Sequence, residues 1–124
     1  MDAALDPDEI SKILEVSPSK VQRRGEPHPR KPGKAYSKSG WFLATEGVLE
    51  SKDARHHLDW ILELVKNKRD AFQILHTRGY LVDLCVFWDS ANGHGGPTIS
   101  PSQMKILSEL EIELWFDVYL QDSE

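Results

Sequence analysis

Apolar positions recur along this chain at two periods, and each change of period marks an element. Ile10, Ile13 and Leu14 share one face of a helix predicted over residues 5–16. A D-x-x-E capping box from Asp6 to Glu9, with Pro7 at the first helical position, opens it. Ser17-Pro18 ends that helix, and residues 20–24 read as a short extended piece with Val21 inward. Period two returns at residues 41–45, where Trp41, Leu43 and Thr45 alternate with Phe42 and Ala44. Behind Ser51, read as an N-cap, Leu58, Ile61, Leu62 and Val65 recur at helical spacing, and Trp60 and Leu64 widen the stripe. Polar residues 67–70 interrupt it before Ala71, Phe72, Ile74 and Leu75 resume it. That leaves one bent helix or two, closed by Gly79 just past the end.

The clearest alternation lies further on. Over residues 80–89, Tyr80, Val82, Leu84, Val86 and Trp88 form an apolar face. Over residues 112–120, Ile112, Leu114, Phe116, Val118 and Leu120 do the same. Between them runs the loop NGHGGPT, residues 92–98, and then Ser100-Pro101-Ser102-Gln103, a capping box that starts a helix ending near Leu110. The element order is helix, strand, helix, strand, helix, strand. Because the strands carry polar residues on one face, an α+β fold is expected, with a mostly antiparallel sheet and helices covering one side.

LDPDEISKIL, SGW, HLDWILEL, GYLVDLCVFW, GHGGPTISP and IELWFDVY, in this order and spacing, resemble the bacterial family called domain of unknown function 4279. The resemblance runs from Leu5 to Tyr119. It implies a small domain with a ferredoxin-like arrangement and brings no activity with it. Members usually carry a strand ahead of the LDPDEI helix, which here is expected to be absent or reduced to residues 1–4; either the chain starts late or a sheet edge is left open to another chain.

Composition narrows the classes. A chain of 124 residues is expected to form a single domain, and no apolar run reaches the roughly 18 residues of a membrane span. The first nine residues are acidic, unlike a signal peptide, and Cys85 is the only cysteine, so a soluble, cytoplasmic protein without internal disulfides is expected. The net charge of −5 is unevenly spread: Lys20, Arg23, Arg24, Arg30, Lys31, Lys34 and Lys38 face Glu26 alone, so that segment holds +6 and the rest −11. Residues 25–40, with three prolines and most of these cations, read as an exposed basic loop.

Candidate chemistry is sparse, and a binding domain is favoured over an enzyme. If the last two strands are neighbours, their second face presents Asp83, Cys85 and Phe87 beside Trp115, Asp117 and Tyr119, aromatics among carboxylates suited to a protein partner or a second copy. Trp41, Arg23 and Arg24 are added as candidate binding residues; against a binding face, the basic segment can fold over it, with Arg23, Arg24 or Lys34 pairing Asp83 and Asp117 internally. An immunity-type role, in which a compact acidic protein blocks a basic toxin or nuclease, is one form of this reading. The alternative is a small-molecule or phosphate site, or an enzyme, built on NGHGGPT and His94, whose glycines can aim backbone N–H groups at an anion. The loop is not a P-loop or a dinucleotide fingerprint. His56 and His57 diverge on their helix, and Asp53 with His57 lacks further ligands, so no metal and no cofactor are expected. Nucleic acid is disfavoured by the acidic remainder and by Tyr36 being the one aromatic in the basic stretch.

Overall fold

The computed structural model describes residues 5–90 and 96–120. Their order is α1 (Pro7–Leu14), β1 (Lys20–Gln22), β2 (Gly40–Phe42), α2 (Ala54–Val65), α3 (Arg69–Thr77), β3 (Asp83–Ser90), α4 (Pro101–Leu110) and β4 (Glu113–Leu120). Helices accompany two separate two-stranded sheets, which makes the chain α+β. The chain divides into two compact units, Met1–Ala44 with Asp70–Tyr80, and Thr45–Arg69 with Leu81–Glu124. Residues 1–4, where a reduced first strand was expected, lie outside the described residues.

In the first unit Asp6 caps α1 by accepting the Asp8 N–H at 3.0 Å. The expected box is not closed, because Glu9 turns away to pair with Arg78. α1 buries Pro7, Ile10 and Leu14, and α3 buries Phe72 and Leu75. Burying side chains of this size stabilises a fold by ~1.5–3 kcal/mol each. β1 and β2 pair antiparallel, Lys20 opposite Phe42, Val21 opposite Trp41 and Gln22 opposite Gly40. The Trp41 indole donates to Ser11 Oγ at 3.0 Å, which fixes this pleat face against α1.

Residues 25–40, largely exposed, are more than a loop. A bridge between Pro27 and Ala35 continues the register of the β1–β2 ladder. Gly25 donates to the Tyr36 carbonyl, Tyr36 to that of Glu26, and His28 to that of Lys34. The whole stretch from Lys20 to Phe42 is one long hairpin. Its prolines stop a regular ladder without preventing the pairing, because the remaining N–H groups suffice.

In the second unit Asp53, not Ser51, caps α2, its carboxylate accepting the Arg55 N–H at 3.0 Å. Ser51 Oγ instead accepts from the Asp53 N–H, one step outside the helix. α2 and α3 are two helices, separated by a turn in which Lys68 donates to the Val65 carbonyl. α2 buries Ala54, Leu58, Leu62 and Val65, and α4 buries Leu107, Leu110 and one polar residue, Gln103. Ser100 and Gln103 form the reciprocal capping box that the sequence predicts.

The expected mostly antiparallel sheet is corrected here. β3 and β4 pair in parallel over their full eight residues, from Asp83 opposite Glu113 to Ser90 opposite Leu120. The reason is topological: α4 carries the chain back between them as a β-α-β crossover, and a return through a helix sets the two strands in the same direction. Polar alternation reports an exposed face, which either pairing sense permits. The apolar face is also less covered than expected. Val82, Leu84, Val86, Trp88 and Leu114 are half-buried, whereas Phe116 and Val118 are exposed. Ten residues of helix run ~15 Å and eight of strand ~26 Å, so α4 alone cannot cover both strands.

Candidate functional site

The parallel register answers whether the polar positions of the two strands meet. Asp83 lies opposite Glu113, Cys85 opposite Trp115, Phe87 opposite Asp117 and Asp89 opposite Tyr119. Residues directly opposed across a ladder share a face. Asp83, Phe87, Trp115, Asp117 and Tyr119 are therefore gathered on one side of one ribbon, with Glu113 and Asp89 added by the register. Phe87 is 62% exposed, Trp115 45% and Tyr119 52%, so the aromatic rings stand in solvent. Phe87 and Tyr119 touch, their ring centroids 5.0 Å apart and tilted by 36°. Such a pair adds ~0.5–1.5 kcal/mol beyond buried area.

Electrostatics on this face are one-signed. Asp83 and Glu113 stand directly across from each other, an arrangement that destabilises an isolated ribbon and favours a cation above it. The Cys85 thiol is pushed up from its ordinary range by partial burial, then by the negative charges of Asp117 and Asp83, against which a backbone hydrogen bond from Asp117 pulls it down. A thiol held protonated is a poor nucleophile and a poor metal ligand. Both edges of the β3–β4 ribbon are unpaired among the described residues.

The remaining candidates fall elsewhere. Trp41 is half-buried with its indole committed to α1. Arg23 is ion-paired within its own unit, to Asp8 at 3.0 Å, Asp6 at 3.6 Å and Glu26 at 3.7 Å. Arg24 donates its backbone N–H to Ser39 Oγ, and its exposed guanidinium has no carboxylate partner among the described residues. His94 lies outside the described residues.

The other part of the glycine-rich loop that is described borders a cleft of about 350 Å³ lined by Lys52, Asp53, Arg55, Trp88, Pro97 and Thr98. Trp88 Nε1 is buried without a hydrogen-bond partner among the described residues, a signal that sequence could not carry. Both helix N-termini of this unit are already occupied by the chain's own oxygens, however. Asp53 caps α2 and is gripped by the Arg55 guanidinium at 2.9 Å, whose hydrogen bonds hold its carboxyl down to about 2. Ser100 Oγ accepts the Gln103 N–H at the start of α4. Residues 92–95 of the loop expected to form an anion nest lie outside the described residues.

His57 is engaged at both ring nitrogens, Nε2 with the Ser51 carbonyl at 2.6 Å and Nδ1 with Thr45 Oγ1 at 2.7 Å. A carbonyl only accepts, so Nε2 carries the proton in the neutral ring. No group of three or more metal-ligating side chains occurs among the described residues, and no helix among them is long and apolar enough to cross a membrane.

The described residues form a small α+β chain in which β3 and β4 present an exposed aromatic and carboxylate face. The model of the family described as Domain of unknown function (DUF4279) matches residues 1–121, and the chain belongs to that family. Comparison with curated proteins and with solved structures gives no significant match.

Proposed function

We propose that this chain is a non-enzymatic binding domain that engages a protein partner through the outward face of β3–β4, and that the partner presents a cationic segment there. The observation that carries this is the register, which stacks Asp83 on Glu113 and Phe87 on Asp117 beside the exposed rings of Trp115 and Tyr119. Aromatic rings contribute large contact area at low entropic cost, and unpaired carboxylates select a basic counterpart. An immunity-type role in the cytoplasm, covering a basic toxin or nuclease, has this form. So does self-association through a free ribbon edge. The ferredoxin-like arrangement implied by the family belongs to this proposal, since it needs antiparallel strands beside the ribbon and a partner's extended segment can add one at an edge.

The test is co-purification from the native cell with wild type and with Trp115→Ala/Asp117→Ala, each shown folded by circular dichroism. A basic protein retained by the wild type and lost by the variant supports the reading. Identical partner lists would remove this face from consideration.

A second reading rests on the Trp88 N–H, unpartnered among the described residues, and on the Lys52–Thr98 cleft that Trp88 lines, which would take a small anionic ligand. A ligand present at about a hundred times its dissociation constant stabilises a fold by ~2.7 kcal/mol. Thermal-shift screening with phosphates and nucleotides, repeated on Trp88→Phe, decides it, and no shift that depends on Trp88 would end it.

A further inference from the structure

The hairpin from Lys20 to Phe42 carries the second site. Its two pleat faces differ. One turns to α1, where Trp41 bonds Ser11 and Arg23 bonds Asp8. Positions on the other pleat face point away from α1. At the base of that face lies Phe42, 43% exposed, directly across from Lys20, whose Nζ is 5.7 Å from the ring centroid.

The ring has a reason to sit there. A Cβ built on Gly40 would meet it at 2.8 Å, so the missing side chain of Gly40 makes room for the Phe42 ring on the same face. On either side of the Pro27–Ala35 bridge, His28 and Tyr36 pack ring to ring with centroids 4.8 Å apart, and Lys34 is joined to His28 by a backbone hydrogen bond at 2.8 Å.

Charge completes the picture. Of the seven cations between Lys20 and Lys38, Arg23 alone is ion-paired. The other six have no carboxylate partner among the described residues. An exposed hairpin with net charge +6 in a chain of net charge −5 keeps these cations solvated without need of them for folding.

We propose that this hairpin binds single-stranded nucleic acid, with Phe42 as a stacking platform for a base and Lys20, Lys34 and Lys38 among the phosphate contacts. The sequence disfavours this partner through its acidic remainder and through Tyr36 being the one aromatic in the basic stretch. The fold adds Phe42, exposed at the base of the hairpin beside Lys20, and sets the Tyr36 ring against His28. The rings favour a nucleic acid over an acidic protein, since an acidic peptide has no π-face to stack on Phe42 while every base has one. A duplex would hide those faces, so a single strand is the form that fits. From Lys20 to His28 the hairpin runs ~25 Å, enough for the short tracks of about four nucleotides on which the smaller single-strand binders act.

The experiment is fluorescence anisotropy of the full chain with labelled oligothymidylate, an abasic strand of equal length, and polyglutamate. Each is titrated at about 50 and 200 mM salt. If four phosphates are contacted at ~0.7 counterions each, raising the salt fourfold lowers affinity about fiftyfold. Phe42→Ala is expected to weaken oligothymidylate about tenfold and leave the abasic strand unchanged. Lys20→Ala/Lys34→Ala/Lys38→Ala weakens both strands. Trp115→Ala, on the other unit, changes neither, which separates this site from the ribbon face. Gly40→Ala, which displaces the ring without removing it, is expected to reproduce the Phe42→Ala result if that variant does not fold. The proposal is overturned by no binding at low salt, by equal affinity for abasic and base-bearing strands, or by polyglutamate binding as tightly as oligothymidylate.

Discussion

Replacing Gln103 by glutamate puts the local and the tertiary logic in direct conflict. Locally the change is favourable, since a capping box takes Glu at its third helical position as readily as Gln. One side-chain oxygen would still accept the Ser100 N–H, now at 3.0 Å. The opposite end decides the outcome. Gln103 Nε2 donates to the Arg55 carbonyl at 2.9 Å and to Asp59 Oδ1 at 2.7 Å, and the residue is 2% exposed. Gln103→Glu turns that donor into an acceptor facing two acceptors, one of them a carboxylate.

Losing a hydrogen bond to a charged group costs ~1.5–3 kcal/mol, and leaving a buried carbonyl unsatisfied ~1–3 kcal/mol. Two carboxylates 4 Å apart repel by ~4 kcal/mol at an effective dielectric of about 20. Asp59 is itself exposed and can swing into water, so most of the repulsion is relieved. The net expectation is a loss of ~2–3 kcal/mol at pH 7, about 10 °C in Tm for a chain of this size. Burial and the neighbouring negative charge raise the pKa of the introduced carboxyl above the ~4.3 of an unfolded glutamate. The folded variant then binds the extra proton, so its deficit shrinks as pH falls from that raised value toward ~4.3. Urea and thermal unfolding at pH 7 and pH 4.5, with Ser100→Ala as the control that removes only the ~1 kcal/mol cap, measure both effects. A Gln103→Glu protein as stable as the wild type at pH 7 would refute the reasoning.

Three further outcomes are expected. Glu111 closes α4 in the left-handed region at φ 55°, a conformation that costs a β-carbon residue energy and glycine none, so Glu111→Gly raises stability by ~0.5–1 kcal/mol in urea unfolding. Asp53 is held down to about 2 chiefly by its Arg55 hydrogen bonds, so its charged form stabilises the fold above the unfolded value of ~3.9 and that contribution fades as pH falls toward 2. Asp53→Asn keeps the cap and removes the titration, so its Tm difference from wild type should vanish by pH ~2. Cys85, its thiol raised by burial, Asp117 and Asp83, should alkylate more slowly than a free thiol at pH 8, and Asp117→Asn should speed it. Equal rates in the two proteins would remove Asp117 from that effect.

Much of this molecule was legible residue by residue. The prolines and caps at Asp6 and Ser100, the apolar spacing of α2, and the alternation in β3 and β4 all act within a few residues, where propensity and capping decide. Errors arose where a neighbour distant in sequence intervened. Glu9 left its capping box because Arg78 was in reach; the α2 cap is a local exception, taken by Asp53 rather than Ser51 with its carboxylate clamped by Arg55 two residues on. The basic segment read as a loop because its prolines and glycines lower strand propensity, yet pairing with residues 35–42 gives it partners.

The sequence alone determined which residues within β3, and which within β4, share a face, because a strand's period is two whatever its neighbours do. It also determined the charge of the basic segment and the family. Tertiary structure alone decided that β3 and β4 run parallel, that Asp83 therefore meets Glu113 and Phe87 meets Asp117, and that Phe42 lies over Gly40 beside Lys20. The physical reason is the same in each case. Side-chain direction is a local property of the backbone, whereas register and pairing sense depend on where the connecting chain returns, and here it returns through α4 and around the turn of the hairpin.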